Sequence, residues 1–207
     1  MNEKKKYIIV ILASVTSSVL AYNGGHGPFP DDAKVERAML TELSRESAST
    51  NIISNPRYKF PIPGQKESRL NVVRKPDAWF AEVVVGGKTV MQPSAFSPYG
   101  TVGGLTAYTT DLNRDEVADF VIYSFSGGCG LACGHCNVAF ILSSGQQYSL
   151  TTVTTLFPDG TDFILVDGKP HFIHTSFLGV DKCNDGKHHN FWIYNLLAFG
   201  KEGVEVD

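Results

Sequence analysis

The amino-acid sequence predicts a mainly β fold, with antiparallel, blade-like sheets packed as one compact domain and one N-terminal amphipathic helix; an α+β arrangement is the alternative. Two observations predict it. From Trp79 to Phe199 the chain runs through successive β-branched and aromatic stretches separated by Gly-, Asn- and Asp-bearing turns. No long helical period interrupts them, which disfavours the alternating strands and helices of a parallel sheet.

The elements follow in order. Lys4-Lys5-Lys6, a short apolar core from Tyr7 to Leu20 and the small-residue site Val19-Leu20-Ala21 have the form of a secretory signal peptide over residues 1–21. The apolar run contains Ser14, Thr16, Ser17 and Ser18 and then meets Asn23-Gly24-Gly25, whereas a membrane-spanning helix needs about 20 predominantly apolar residues. No Cys follows the run, so a lipoprotein anchor is not indicated, and no membrane span is expected once the leader is cleaved. Cleavage would remove Lys4, Lys5, Lys6 and Glu3 and move the formal net charge from −3 to −5. No basic block is then left to track phosphates, which argues against nucleic acid as a partner.

Residues 22–77 read as an N-terminal helix and an extended connection. A Gly- and Pro-rich lead-in reaches Pro30. Asp31 or Asp32 then caps a helix ending near Ser47, with Ala33, Val35, Ala38, Met39, Leu40 and Leu43 at helical spacing. Residues 48–77 contain Pro56, Pro61, Pro63 and Pro76 and show no sustained period. Residues 78–207 read as the β-rich domain. Trp79 to Val85, the Gly86-Gly87 turn and Lys88 to Val90 suit a hairpin. Further strands are expected at Leu105–Thr110, Phe120–Phe125, Asn137–Ser143, Gln147–Phe157 and Phe191–Phe199.

Asp111-Leu112-Asn113-Arg114-Asp115-Glu116-Val117-Ala118-Asp119 is the most specific motif. It places side-chain oxygens at the first, third, fifth and ninth positions of one loop, with the Val117 carbonyl at the seventh. Calcium takes six to eight hard oxygen ligands at about 2.3–2.6 Å, and this alternation can wrap them round one ion. A helical calcium hand is disfavoured, because its twelfth position carries a bidentate Glu and here holds Ile122 within a strand-forming run. The stretch resembles the Asp-x-Asp/Asn-x-Asp-Gly-x-x-Asp-hydrophobic motif of FG-GAP and VCBS repeats, extracellular modules found in integrin-like propellers and many secreted bacterial proteins. The resemblance is local, and it implies calcium bound by Asp111, Asn113, Asp115, Val117 and Asp119, with an affinity on the order of 10⁻⁴–10⁻³ M. Glu116 stands where the motif has Gly, the residue that turns with φ > 0 at no steric cost. The same residues also suit a metal-free turn closed by Asp and Asn side chains. A degenerate second copy aligns His171 to Phe177 with Asp119 to Phe125, preceded by the acid-poor turn Val166 to Pro170.

Cys129, Cys133, Cys136 and Cys183 form the second unusual feature, three of them within a Gly-rich stretch. In an oxidising compartment an even count favours two disulfides, with three possible connectivities; structural zinc and thiol-redox chemistry are the alternatives. Pairing Cys129 with Cys136 and Cys133 with Cys183 asks least of the chain. His171 and His174 lie three apart, so on a strand they face opposite ways. A composite metal site from His135, His174 and His188 is the alternative use of the histidines. The aromatic series from Phe120 to Tyr194 is read as core before carbohydrate platform.

Neither His-Glu-x-x-His nor Gly-x-Ser-x-Gly occurs. These features together lead to an exported, periplasmic or secreted, calcium-associated and disulfide-stapled module that contacts an envelope or extracellular protein or glycan and lacks catalytic activity. The alternative is an exported hydrolytic or thiol-redox enzyme using the Cys and His residues.

Overall fold

The computed structural model describes residues 9–13, 34–38, 40–43, 47–48, 57–97, 105–125, 135–145, 147–156, 158, 162–182, 186–200 and 203–206. These residues are nearly all β, arranged in three antiparallel sheets. The chain divides into two compact units where the sequence suggests one domain: residues 1–38, 158–198 and 205–207 form the first, and residues 39–157 and 199–204 the second.

The second unit holds two five-stranded sheets, one a full meander and the other a four-stranded meander with a short fifth strand added beside its first. One runs β4 (Ser47–Ala48), β5 (Arg57–Pro61), β6 (Arg69–Arg74), β7 (Trp79–Val85) and β8 (Lys88–Ser97). The expected hairpin is present, with Gly86 and Gly87 both at positive φ (55° and 78°) in the two-residue turn, where that twist matches the flanking strands. The other sheet runs β12 (Gln147–Leu156), β11 (His135–Ser144), β10 (Asp119–Phe125), β9 (Leu105–Thr110) and β3 (Thr41–Glu42). Phe60, Leu70, Val72, Trp79, Val83 and Met91 of the first sheet and Leu105, Phe120, Ile122 and Ile141 of the second share one buried core. Val121, Tyr123, Val138, Phe140 and Leu142 are buried as well. β10 and β11 are therefore covered on both faces, which accounts for the unbroken apolar run Phe120-Val121-Ile122-Tyr123.

The third sheet, in the first unit apart from residues 199–200 and 203–204, is built on β1 (Ile9–Ala13), β15 (His188–Gly200), β14 (Lys169–Lys182), β13 (Phe163–Val166) and β2 (Val35–Arg37), with β16 (Gly203–Val206) also paired to β15. The Phe163 and Phe172 rings, both fully buried, lie 5.0 Å apart at a tilt of 50°.

Two expectations change. Within the predicted helix, Val35–Arg37 pair with β13 and Thr41–Glu42 with β9, so these residues are strand; residues 31–33, 39 and 44–46 lie outside the described residues. Pairing with otherwise open sheet edges overrides the helical period here, even though Ala38, Met39, Leu40, Glu42 and Leu43 are good helix formers, because tertiary pairing outweighs a local propensity of a few tenths of a kcal/mol per residue. The extended connection at 48–77 also contains β5 and β6, which continue the β7–β8 sheet. Of its prolines, Pro61 sits at the strand terminus, where a missing N–H costs the ladder least.

Candidate functional site

The loop from Asp111 to Ala118 joins β9 to β10, whose first register pair is Asp119 with Thr110. Its own side chains shape it. The Asp111 carboxylate accepts the Asp115 N–H at 3.1 Å and the Glu116 N–H at 3.0 Å. The Asn113 Oδ1 accepts the Asp115 N–H at 3.2 Å, and Asp115 Oδ1 accepts the Val117 N–H at 2.9 Å. Short Asp and Asn side chains can reach backbone two to five residues on, which is why they replace the ladder here. Arg114 and Glu116 adopt φ of 62° and 65°. The position at which the calcium motif carries Gly thus makes the left-handed turn with a Glu, at a cost of roughly 1–2 kcal/mol.

Asp119 closes the loop from inside. It is fully buried. Its Oδ2 accepts the N–H groups of Leu112 (2.7 Å) and Asn113 (3.2 Å), and its Oδ1 accepts the N–H of Ser143 (2.7 Å) and lies 2.9 Å from the Ser143 hydroxyl. That hydroxyl is also 2.9 and 2.8 Å from the two oxygens of Asp115. A serine carries one hydroxyl hydrogen, so two carboxylates converge on a single proton donor. Asn113 Nδ2 donates to the Ser143 carbonyl at 2.6 Å, and the Tyr148 hydroxyl donates to the Ala118 carbonyl at 3.1 Å. The loop therefore latches the start of β10 to the end of β11 and to β12.

Burial pushes the Asp119 carboxyl above the usual carboxylate range, and its hydrogen bonds from Ser143, Leu112 and Asn113 pull it part of the way back. Tyr148 is pushed up to about 12, first by burial and then by the negative charges of Asp119 and Asp115. Burial leads in both, and only at Tyr148 do neighbouring negative charges add to it.

The structure brings Asp111, Asn113, Asp115, Val117 and Asp119 into one loop. Their oxygens are turned largely onto backbone N–H groups, and among the described residues no group of three or more His, Cys, Asp or Glu side chains stands ready to hold a metal ion. Asp119, with four donors on two oxygens, serves as scaffold. Asp111, Asn113 and Asp115 each retain lone pairs beyond those the loop uses.

The histidines go separate ways. His135 opens β11 and His188 opens β15, both exposed. His171 is buried, its Nδ1 2.9 Å from the Lys169 carbonyl, and His174 lies 3.4 Å from Asn195. The expectation that His171 and His174 face opposite sides of their strand agrees with their unequal burial. No metal group forms from them among the described residues. Cys136 is fully buried with its Sγ 3.6 Å from the Asn137 carbonyl; Cys129, Cys133 and Cys183 lie outside the described residues, and with them the expected disulfides.

Ser143 and Tyr148 have no signal in the sequence, since each looks like an ordinary hairpin residue until the β10–β11 and β11–β12 registers bring it over the loop. A second buried polar group is likewise invisible in sequence: Asn137 donates to Ser97 at 3.0 Å and accepts from Thr154 at 2.8 Å, fixing β8, β11 and β12 to one another. Comparison with protein-family models, with curated proteins and with solved structures finds no match to this chain.

Proposed function

We propose that this protein is an exported β-rich structural or interaction module without catalytic activity, whose Asp111–Asp119 loop associates weakly with calcium and whose loops contact an envelope or extracellular protein or glycan. The observation that carries the reading is the convergence of Asp115 and Asp119 on the lone Ser143 hydroxyl, in a loop that makes the left-handed turn at Glu116. Two carboxylates sharing one donor leave negative charge under-compensated, and a cation at the outer oxygens of Asp111, Asn113, Asp115 and the Val117 carbonyl would offset it. The polar side chains of the loop and of the Ser97–Asn137–Thr154 group act on backbone and on one another, which suits holding a shape. The disulfide staples belong to the same reading, through the Gly-rich cysteine segment and the oxidising compartment.

The thermal midpoint of the oxidised protein in chelator, in calcium and in magnesium tests it. At calcium tenfold above a dissociation constant of about 10⁻³ M, mass action stabilises by about 1.4 kcal/mol, or about 3–6 °C. The quantity read is the increment caused by calcium, compared between the native chain and Asp111→Asn. An increment specific to calcium and lost in the variant supports the site. Equal midpoints in calcium and chelator would reduce the loop to a hydrogen-bonded turn.

A further inference from the structure

The outer edges of the sheets differ in how they are guarded. β2 carries Glu36 and Arg37, and β8 carries Lys88 and Pro93; charges and prolines on an edge discourage pairing with another chain. The β12 and β15 edges have no such guard, and of the two it is β15 that owes its cover to the first residues of the chain. Asn190-Phe191-Trp192-Ile193-Tyr194 holds no charge, Pro or Gly, the composition that pairs most readily with a further strand. In the 207-residue chain this edge is covered by β1, antiparallel, with Ile9 opposite Tyr194, Ile11 opposite Trp192 and Ala13 opposite Asn190. All of β1 falls within residues 1–21, the segment that reads as the leader.

We propose that, once the leader is removed, the Asn190–Tyr194 edge pairs with the same edge of a second copy of the chain. The inference rests on the export reading. It is favoured over a foreign strand because the segment is self-complementary. A two-fold axis at Trp192 sets Asn190 opposite Tyr194, Phe191 opposite Ile193, and Trp192 opposite its own counterpart. This antiparallel register puts Asn190, Trp192 and Tyr194 of the second copy where Ile9, Ile11 and Ala13 lie. An isologous contact of this kind closes on itself as a dimer and leaves no sticky end for a filament. Aromatic and β-branched residues opposed across strands are the pairs that stabilise sheets.

The test uses the whole chain made in two ways. In one it is exported and recovered after processing, with its N-terminus determined by mass spectrometry; in the other it is made without export, so that residues 1–207 stay intact. Light scattering across a dilution series gives the mass. The processed form is expected to be dimeric and the intact form monomeric. Trp192→Lys, which opposes two like charges on the axis, should raise the dimer dissociation constant at least tenfold with an unchanged far-ultraviolet spectrum. Should that variant not fold, a synthetic peptide spanning Lys4 to Val15 should convert the processed dimer to monomer. A processed form that is monomeric throughout, or a dimer indifferent to both variant and peptide, overturns the proposal. A recovered chain still beginning at Met1 would sink the export reading by itself. The edge would then be judged on the intact chain carrying Val10→Pro and Leu12→Pro, which unpair β1: dimerisation supports the edge contact, and a monomer refutes it.

Discussion

Replacing Asp119 by Ala removes the acceptor for three backbone N–H groups and one hydroxyl. Leu112 and Ser143 are 1% exposed, so their N–H groups cannot turn to water, and each buried donor left without an acceptor costs about 1–3 kcal/mol. The Ser143 hydroxyl keeps Asp115. Two such donors give about 2–6 kcal/mol, and relief from holding a carboxylate in a dry site, the effect that raises its pKa, offsets part of it. The expected loss is about 3 kcal/mol, or about 6–12 °C in thermal midpoint. Asp119→Asn keeps the shape and one carbonyl oxygen but turns an amide NH₂ toward two of the donors, and should cost less, about 1–2 kcal/mol. Urea unfolding checks both. The protein has two Trp residues, and Trp79, 3% exposed in the second unit, reports on the affected unit in a Trp192→Phe background. The midpoint should fall at constant slope. An Asp119→Ala protein within 1 kcal/mol of the parent, or an Asn variant worse than the Ala variant, would refute the latch.

Other outcomes follow from the same geometry. Because the folded pKa of Asp119 lies above its unfolded value, its contribution is fully present below about pH 3.8 and is lost as pH rises through the folded pKa; plotted as the parent minus Asp119→Asn, stability should fall over that acid window. Spectrophotometric titration should find one phenol ionising near 12 that disappears in Tyr148→Phe, and the parent should lose stability relative to that variant between about pH 10 and 12. Glu116→Gly, at φ 65°, should stabilise by about 1 kcal/mol in urea unfolding and should not reduce the increment caused by calcium. Phe120→Ala, fully buried where β10 leaves the loop, should cost about 3–5 kcal/mol.

The strands were legible where alternation or a continuous apolar run met an unambiguous turn, as at Gly86-Gly87 between β7 and β8 and at Ser144-Gly145 after β11. The failures share a cause. Val35 to Leu43 contains apolar residues at helical spacing, yet Val35–Arg37 and Thr41–Glu42 are fixed by partners more than 60 residues away in sequence, and no local pattern encodes that. β5 and β6 were hidden by flanking prolines that read as breakers while standing at or outside strand ends. Within the site, spacing marks the side-chain oxygens of Asp111, Asn113, Asp115 and Asp119 that close the loop on itself. It is silent on Ser143, which reaches Asp119 across 24 residues through the register of β10 on β11.

A loop held in this way also restricts where an ion could act. Asp119 is at once the last loop residue and the first of β10, and the next side chain, Phe120, enters the core shared with Trp79 and Leu70. Anything that relieves the crowding of Asp115 and Asp119 must therefore register as stability of the second unit. Tyr148 extends this link, since its hydroxyl holds Ala118 while its ring lies 5.9 Å from that of Phe120. Calcium acting at the loop should raise the unfolding midpoint reported by Trp79, with Asp111→Asn removing the rise. Should the ion shift only the transition reported by Trp192, in the first unit, its site would lie away from this loop, and the acids from Asp111 to Asp119 would be explained wholly by the N–H groups they accept.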